Sequence, residues 1–367
     1  MSVLPPLEAE IRRRIVAAGP MPVGEYMSLC LADSEHGYYT THDPFGAGGD
    51  FITAPEVSQM FGEMIGLWMA AVWKQMGAPD NLRIIELGPG RGTMMKDALR
   101  AAKVMPGFRD TIVVHLVEIS PALEAYQQRN LESVGAPVYW HRALAEVPAG
   151  PAIVVANEFF DALPINQAVK GEHGWHERAI EIDEQGRLAF TTAPDPLPRF
   201  DLLLPAAVRN APEGSIFEWR SDVIGMEFGQ RLARDGGAAL VIDYGHAESA
   251  AGETLQAVGR HAYANLLSAP GTVDLTAHVD FQAFMAAVES MGVNGFGPLT
   301  QSQFLRRLGI LTRAASLKAK TADPAVVTTI DAALKRLISE GEAGMGALFK
   351  AAAFAHPSLG VPPGFES

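Results

Sequence analysis

Residues 86–93 read Glu86-Leu87-Gly88-Pro89-Gly90-Arg91-Gly92-Thr93 and follow directly on the apolar run RIIEL at 83–87. The apolar run is typical of a buried strand, and the residues after 93 are typical of a helix. A dinucleotide-binding turn, G-x-G-x-x-G, would need glycine at position 93, where threonine stands. A P-loop would need lysine followed by serine or threonine after the glycines. The stretch therefore predicts a strand, a glycine loop and a helix of another kind.

This acidic-x-G-x-G-x-G pattern resembles the first motif of class I S-adenosylmethionine (SAM) methyltransferases. The resemblance implies that Gly88, Gly90 and Gly92 belong to the cofactor site, where a Cβ atom would collide with the bound molecule. Glu86 at the strand tip would face the positively charged amino group of the methionine portion. An ordinary strand-to-helix turn is the alternative interpretation of the glycines.

A second acidic residue, Glu118, ends the next apolar run at 112–118, about 26 residues after Gly92. A carboxylate at this place can accept hydrogen bonds from both ribose hydroxyls of the cofactor. Each such charge-assisted bond contributes roughly 1.5–3 kcal/mol. The alternative is a solvated glutamate at a strand end, but the order of strand, glycine loop, helix, strand and carboxylate favours the cofactor site.

Short apolar runs alternate with helical stretches from residue 82 onward, which is typical of a parallel sheet with crossover helices. The candidate strands are 83–87, 112–118, 137–141, 152–158 and 238–244. About 80 residues separate the last two runs. The apolar and polar side chains of this intervening segment alternate, which indicates inserted antiparallel hairpins. The sequence predicts an α/β fold of the class I SAM-dependent methyltransferase type, with a Rossmann-like seven-stranded sheet, an N-terminal helical cap and insertions.

The same pattern predicts how the chain is divided. Apolar residues spaced three or four apart predict a helix over 4–18, the composition of 36–55 indicates a loop, and a second helix is expected over 56–76. The predicted segments are an N-terminal helical cap with a lid loop (1–80), the first part of the SAM-binding core (81–160), a β-rich insertion (161–218), the second part of the core (219–300), a helical insertion (301–344) and the last core strand with the tail (345–367).

Composition excludes several classes of protein. With 48% hydrophobic and 19% charged residues, a chain of 367 residues can bury a core, which excludes global disorder. The 42 acidic and 29 basic side chains give a net charge of −13, so we expect neither nucleic acid nor an anionic membrane as a partner. The single cysteine, Cys30, excludes an intramolecular disulfide and fits a reducing compartment. Charged side chains within residues 8–14 interrupt any signal-peptide pattern, so we expect a cytoplasmic protein.

The segment Asn157-Glu158-Phe159-Phe160-Asp161-Ala162-Leu163-Pro164 follows the fourth predicted strand. Ligands of α/β proteins bind at the carboxyl ends of strands, and in class I methyltransferases the acceptor meets the methyl group there. A guanidinium acceptor needs carboxylates to orient it and localise its charge, because its pKa exceeds about 12. Glu158 and Asp161 are the candidate catalytic residues, and Asn157 is a candidate cofactor residue. A helix N-cap is the alternative for Asp161.

Several longer segments make the resemblance more specific. They are GDFITAPEVSQMFGE (49–63), ELGPGRGTMMKD (86–97), VEISPAL (117–123), NEFFDALPINQ (157–167), IDYGH (242–246), DLTAHVDF (274–281) and TQSQFLRRLGI (300–310). On these segments the chain is similar, nearly end to end, to the MidA-type family, whose mitochondrial members are protein arginine methyltransferases involved in the assembly of respiratory complex I. The resemblance implies a bacterial, SAM-dependent enzyme that methylates an arginine of a protein client, such as a complex I subunit.

The resemblance also implies that residues 50–59 close over the cofactor, with Thr53, Pro55 and Glu56 nearest to it. The alternative is that Thr53 or Pro55 simply starts the following helix.

Three histidines are candidates for the site. His278 is either an active-site group or a core histidine before a helix, and we favour the core; Tyr244 and Gly245 are expected to line the pocket wall. His173 and His176 are spaced H-x-x-H in a predicted turn without a nearby cysteine, so we expect no metal site.

Two other functions stay open. A non-catalytic assembly chaperone would keep the SAM fold and hold a client protein, because a fold does not determine a function. A small-molecule methyltransferase is less favoured, because the cap and the insertion add surface that a small acceptor does not need.

Overall fold

The computed structural model describes residues 4–41, 53–259, 262–341 and 344–366. The helices are α1 (Pro6–Ala18), α2 (Val23–Ala32), α3 (Tyr38–Thr41), α4 (Ala54–Val57), α5 (Gln59–Gln75), α6 (Thr93–Ala101), α7 (Pro121–Leu131), α8 (Ala206–Arg209), α9 (Val223–Asp235), α10 (Phe281–Glu289), α11 (Gln301–Arg307), α12 (Ile310–Lys318) and α13 (Pro324–Ile338). The strands are β1 (Met21–Pro22), β2 (Leu82–Leu87), β3 (Ile112–Val117), β4 (Val138–His141), β5 (Ala152–Asn157), β6 (Ile165–Gly171), β7 (Gly174–Ile182), β8 (Leu188–Pro196), β9 (Ile216–Arg220), β10 (Gly237–His246), β11 (Gln256–Gly259), β12 (Ala262–Ala264), β13 (Asp274–Thr276), β14 (Val279–Asp280), β15 (Asn294–Thr300) and β16 (Phe349–Ala355).

Seven strands form the central sheet, in the order β4-β3-β2-β5-β10-β16-β15. The strands from β4 to β10 in this order are parallel to their neighbours, whereas β16 is antiparallel to both β10 and β15. The short β14 pairs with the end of β10 beside this sheet. The predicted Rossmann-like seven-stranded α/β fold is confirmed.

Both faces of the central sheet are covered, which explains why its strands are continuously apolar. Ile84 packs into the core on one face, with Trp68 of α5, while Ile85 packs into the core on the other face, with Phe228 of α9. Successive side chains of a strand point to opposite faces, so the apolar residues of β2 alternate between the two apolar layers. In the described part of the chain, none of the helices is both long and apolar enough to cross a membrane.

The insertion after β5 forms a second, antiparallel sheet in the order β1-β7-β6-β9, with β8 paired to β7. The predicted hairpins are therefore present. The sequence pattern does not show that β1, from the N-terminal segment, joins this sheet through Met21 opposite Ile180. Its pairing partner lies far away along the chain. The division of the chain into six segments stays a prediction.

Two features differ from the sequence expectations. The helix expected over 56–76 is two helices, because Ser58 is extended between α4 and α5 and its hydroxyl accepts a hydrogen bond from the Met60 amide at 3.2 Å. Serine favours this N-cap position, whereas apolar periodicity alone continues through it. A small sheet in the order β12-β11-β13 was not predicted, since its strands are only three or four residues long.

Candidate active site

The loop between β2 and α6 has a backbone that favours glycine. Gly88, Gly90 and Gly92 have φ values of +61°, +54° and +75°, a region that other residues rarely adopt. A Cβ atom on Gly88 would lie 2.8 Å from Cδ2 of Phe159. Gln127 of α7 fixes the loop by donating from Nε2 to the Gly90 carbonyl at 2.7 Å.

A crevice opens beside this loop, at the carboxyl ends of β2 and β5. It brings together eight residues of the predicted site, namely Thr53, Pro55, Glu56, Glu86, Gly88, Gly90, Asn157 and Glu158. Pro89, Arg91, Thr93 and Met94 also line the crevice, and the sequence analysis did not single them out although they lie within or beside the motif. Gly92, Glu118 and Asp161 are outside the lining.

Glu86 is buried at the tip of β2 and lacks a compensating charge. Its side chain is 2% exposed, and its Oε2 atom has no hydrogen-bond partner among the described residues. Burial, and next the Glu118 carboxylate, raise the pKa of Glu86 to about 8. A cation at this place would stabilise the ionised carboxylate. The site therefore fits the amino group of the methionine portion of SAM.

Glu118 adjoins the glycine loop through Gln127. Its carboxylate accepts hydrogen bonds from the Ser120 amide at 2.8 Å and from Nε2 of Gln127 at 3.1 Å, and the same Nε2 binds the Gly90 carbonyl. Glu118 is 7% exposed, which contradicts the solvated-glutamate alternative. Burial raises its pKa, against the opposing effect of these hydrogen bonds. Its role as a ribose ligand stays a prediction.

Residues 53–57 form another wall of the crevice. Thr53 precedes α4 and Pro55 lies in its first turn, so the helix-start interpretation of these residues holds, yet both also line the crevice. Glu56 accepts a hydrogen bond from the Thr93 hydroxyl at 2.6 Å, which ties α4 to α6. Residues 50–52 of the predicted lid loop lie outside the described residues, and closure of the lid stays a prediction.

The loop after β5 is held by Asp243, a fully buried residue of β10. Its Oδ2 atom accepts hydrogen bonds from the backbone amides of residues 159–161 at 3.2, 2.9 and 3.2 Å. Its Oδ1 atom accepts one from the Tyr244 amide at 2.9 Å. The loop begins at Glu158, whose φ of +51° is unusual for a residue other than glycine. Sequence reasoning missed Asp243, although a charged residue inside an apolar strand was a signal for it.

The two candidate catalytic carboxyls, Glu158 and Asp161, both have raised pKa values. Oε1 of Glu158 accepts from the Ala54 amide and from Nδ2 of Asn157, both at 3.0 Å, and burial raises its pKa to about 7. Burial also raises the pKa of Asp161, whereas a hydrogen bond from Tyr244 lowers it. Oδ1 of Asp161 is buried without a hydrogen-bond partner in the described structure. A turn, not a helix, follows Asp161, so the N-cap alternative is wrong.

Arg220 of β9 lies beside these carboxyls, but its N–H groups bind carbonyl oxygens. The acceptors, at 2.6–3.2 Å, are the backbone carbonyls of Asp161, Leu163, Ala277 and His278. Asp161 raises the pKa values of both Glu158 and Asp243, whereas Arg220 lowers those of Asp161 and Asp243 and Arg336 lowers that of Glu158. The cluster therefore has more carboxyl groups than cations.

The candidate histidines lie at different places in the structure. His278 is half-buried, and its ring packs edge-on against Tyr244 with ring centroids 5.6 Å apart. Burial lowers the pKa of His278 below its ordinary value. His176 contacts the Ala193 carbonyl through Nδ1 at 2.9 Å. Among the residues with described positions, no group of three or more His, Cys, Asp or Glu side chains is arranged to hold a metal ion.

The sheet order, the glycine loop and the acidic strand tips define the class of protein as a SAM-dependent methyltransferase with a Rossmann-like core. The model of a family described as S-adenosyl-L-methionine-dependent methyltransferases matches residues 64–299. The chain belongs to this family, and SAM is its cofactor. The resemblance inferred from the longer segments is thereby confirmed.

Named relatives agree with this family. The chain is 37% identical over 337 residues to the mitochondrial protein arginine methyltransferase NDUFAF7 of Danio rerio, covering 85% of this chain and 78% of the relative. The Homo sapiens protein of the same name is 36% identical over 350 residues, covering 88% and 77%. A crystal structure of a Burkholderia thailandensis protein bound to S-adenosyl-homocysteine has a TM-score of 0.86 and 30% identity, covering 100% of this chain and 97% of that one.

Proposed function

We propose that the chain transfers the methyl group of SAM to an arginine side chain of a protein client linked to the assembly of respiratory complex I. The observation that carries the arginine assignment is the excess of carboxyl groups around Asp161. Two buried carboxyls, Asp161 and Asp243, lie near the guanidinium of Arg220, whose donors bind carbonyl oxygens, and Oδ1 of Asp161 has no hydrogen-bond partner among the described residues. A buried carboxylate is stable when it is paired. A substrate guanidinium would supply the missing cation and donors.

Residues in and beside the crevice have complementary roles in holding SAM. Glu86 would pair with its amino group, and Glu118 would bind the ribose hydroxyls. Gly88, Gly90 and Gly92 leave room for the cofactor next to the backbone. The other crevice residues proposed to contact it are Thr53, Pro55, Glu56 and Asn157. Bound SAM supplies an electrophilic methyl group on a positively charged sulfur.

The carboxyls at the end of β5 would act on the acceptor. Asp161 and Glu158 orient the guanidinium and localise its charge on the N–H groups that face them, which frees one nitrogen for attack. As the N–CH₃ bond forms and the S–CH₃ bond breaks, the attacking nitrogen loses one proton. Glu158, with a pKa of about 7, is suited to receive that proton near neutral pH.

Three further observations support a protein client. The relatives above are named protein arginine methyltransferases. The net charge of −13 favours a basic client segment. The link to complex I comes from the family resemblance of the quoted segments.

We place the protein in the bacterial cytoplasm. Its single cysteine fits the reducing conditions of that compartment.

The experiment measures transfer of tritium from methyl-labelled SAM to protein extracted from cells that lack this chain. Hydrolysis and amino-acid analysis of the labelled protein should find the label in methylated arginine. Glu158→Gln should lower the rate at least about 100-fold, while the control Glu172→Gln, on an exposed turn, should leave it unchanged.

Label on another residue type would contradict the arginine assignment. Labelling by Glu158→Gln at the wild-type rate would remove Glu158 from catalysis. A protein that binds SAM but labels nothing would support the chaperone instead, and label in a small molecule would support the third function.

A further inference from the structure

A second, larger groove lies between the insertion and the helices on one face of the central sheet. Its volume is about 740 Å³, and its walls include Phe217 and Trp219 of β9, Leu203, Met226 of α9 and Phe284 of α10. This volume lies within the range of roughly 300–1,000 Å³ that is usual for ligand pockets. The groove can therefore hold a short segment of a few residues.

The groove has an aromatic floor and an exposed apolar rim. The rings of Phe217 and Trp219 are stacked with centroids 6.1 Å apart, and Phe200 packs on Trp219 at 4.8 Å. At the rim, Leu203 is 80% exposed and Met226 is 39% exposed. Apolar side chains that are exposed together along a concave surface mark an interaction site.

The charge of the groove selects a basic occupant. Three carboxylates line it, those of Glu218, Asp222 and Asp280, against the guanidinium of Arg220. Glu218 accepts hydrogen bonds from Gln167, Thr254 and Leu255, and Asp280 accepts one from the Ala283 amide. The donors of Arg220 bind backbone carbonyls, as described above. Asp222 is exposed and makes no side-chain cap bond to α9, so its charge is available to a partner. Complementary charge directs both specificity and the rate of association.

The inner end of the groove adjoins the carboxyl cluster of the active site. Arg220, which lines the groove, donates to the Asp161 carbonyl at 3.1 Å. His278, which also lines it, packs against Tyr244, the residue that hydrogen-bonds to Asp161. A chain lying in the groove would therefore end where we place the acceptor guanidinium.

We propose that this groove binds the segment of the client that flanks the acceptor arginine, and that this segment is extended, apolar and positively charged. The inference rests on the proposed function and adds to it the chemistry by which the client is recognised. The apolar side chains of the segment pack on Phe200, Phe217 and Trp219, and its basic side chains face Asp222.

The test uses the full chain, tritiated SAM and increasing amounts of protein extract from cells that lack the chain. Leu203→Asp and Met226→Asp should each raise the half-saturating amount of extract about five- to thirtyfold, because each places an unpaired carboxylate in an apolar contact. The plateau rate and the dissociation constant for S-adenosyl-homocysteine, measured by calorimetry, should match the wild type. The matched control is Val104→Asp, which changes an equally apolar side chain, 72% exposed, that is not part of the groove.

Asp222→Lys should raise the half-saturating amount as well, and it should weaken the dependence of that amount on salt. Wild-type protein that transfers no label overturns the proposed function itself. Wild-type transfer with Leu203→Asp and Met226→Asp indistinguishable from Val104→Asp overturns the groove proposal alone. A wild-type dimer in light scattering that Leu203→Asp converts to a monomer also overturns it, because a second copy then fills the groove.

Discussion

Glu86 should make the affinity for SAM and S-adenosyl-homocysteine rise with pH. Its pKa of about 8 keeps the carboxyl mostly protonated at pH 7 in the cofactor-free protein. The cationic amino group of the cofactor favours the carboxylate. Binding therefore requires that Glu86 loses its proton, and this loss costs more free energy as the pH falls below 8.

The magnitude follows from the pKa. The ionised fraction of a group with a pKa of about 8 is about one quarter at pH 7.5 and about one hundredth at pH 6.0. The association constant should therefore fall about 20-fold between these values, which corresponds to about 2 kcal/mol. At pH 7, binding should release close to one proton per site. Glu158, with a pKa of about 7, also lines the crevice, so a variant of Glu86 is needed to separate the two groups.

The assay is calorimetric titration with S-adenosyl-homocysteine from pH 6.0 to 7.5, in two buffers that differ in their enthalpy of ionisation. Glu86→Gln should bind more weakly than the wild type at pH 7.5 and should lose most of the pH dependence. Glu132→Gln, which changes an exposed glutamate, serves as the control and should keep the slope of the wild type. An affinity of the wild type that stays constant over this range would refute the reasoning, and so would an equal slope in Glu86→Gln.

Three further substitutions test neighbouring parts of the site. Glu118→Ala should raise the dissociation constant for S-adenosyl-homocysteine by about one to two orders of magnitude, because two charge-assisted hydrogen bonds are lost; an unchanged constant in calorimetry would remove Glu118 from the site. Gly88→Ala should lower both the melting temperature and the affinity, because its Cβ would meet Phe159 at 2.8 Å. The matched control is Gly186→Ala, at a similar φ of +73° but with no atom within 4 Å of the added Cβ, and equal effects of the two would contradict the steric argument. Asp243→Ala should lower the free energy of unfolding by about 3 kcal/mol or more, because buried amides lose their acceptor. Urea unfolding measures this loss, and a change below about 1 kcal/mol would show that the loop does not depend on Asp243.

The sequence by itself predicts the features that depend on neighbouring residues. The apolar runs of β2, β3, β5 and β10 lie within two residues of their predicted bounds, because burial on both faces makes a parallel strand continuously apolar. The position of the glycine loop follows in the same way, since a positive φ at a strand-to-helix turn favours glycine. The longer segments that resemble the family also predict the cofactor, because they match the family over many more residues than the glycine loop does.

Only the tertiary structure shows which distant residues meet. Arg220 contacts the Asp161 carbonyl across 59 positions of sequence, and Asp243 holds an amide of the loop from 84 positions away. The large groove likewise joins side chains of β9, α9 and α10. No local pattern records such contacts, because they depend on how strands pair and pack after the chain has folded. A periodicity or a glycine requirement acts over a few residues, whereas the excess of buried carboxyl groups exists only once three separate segments lie side by side.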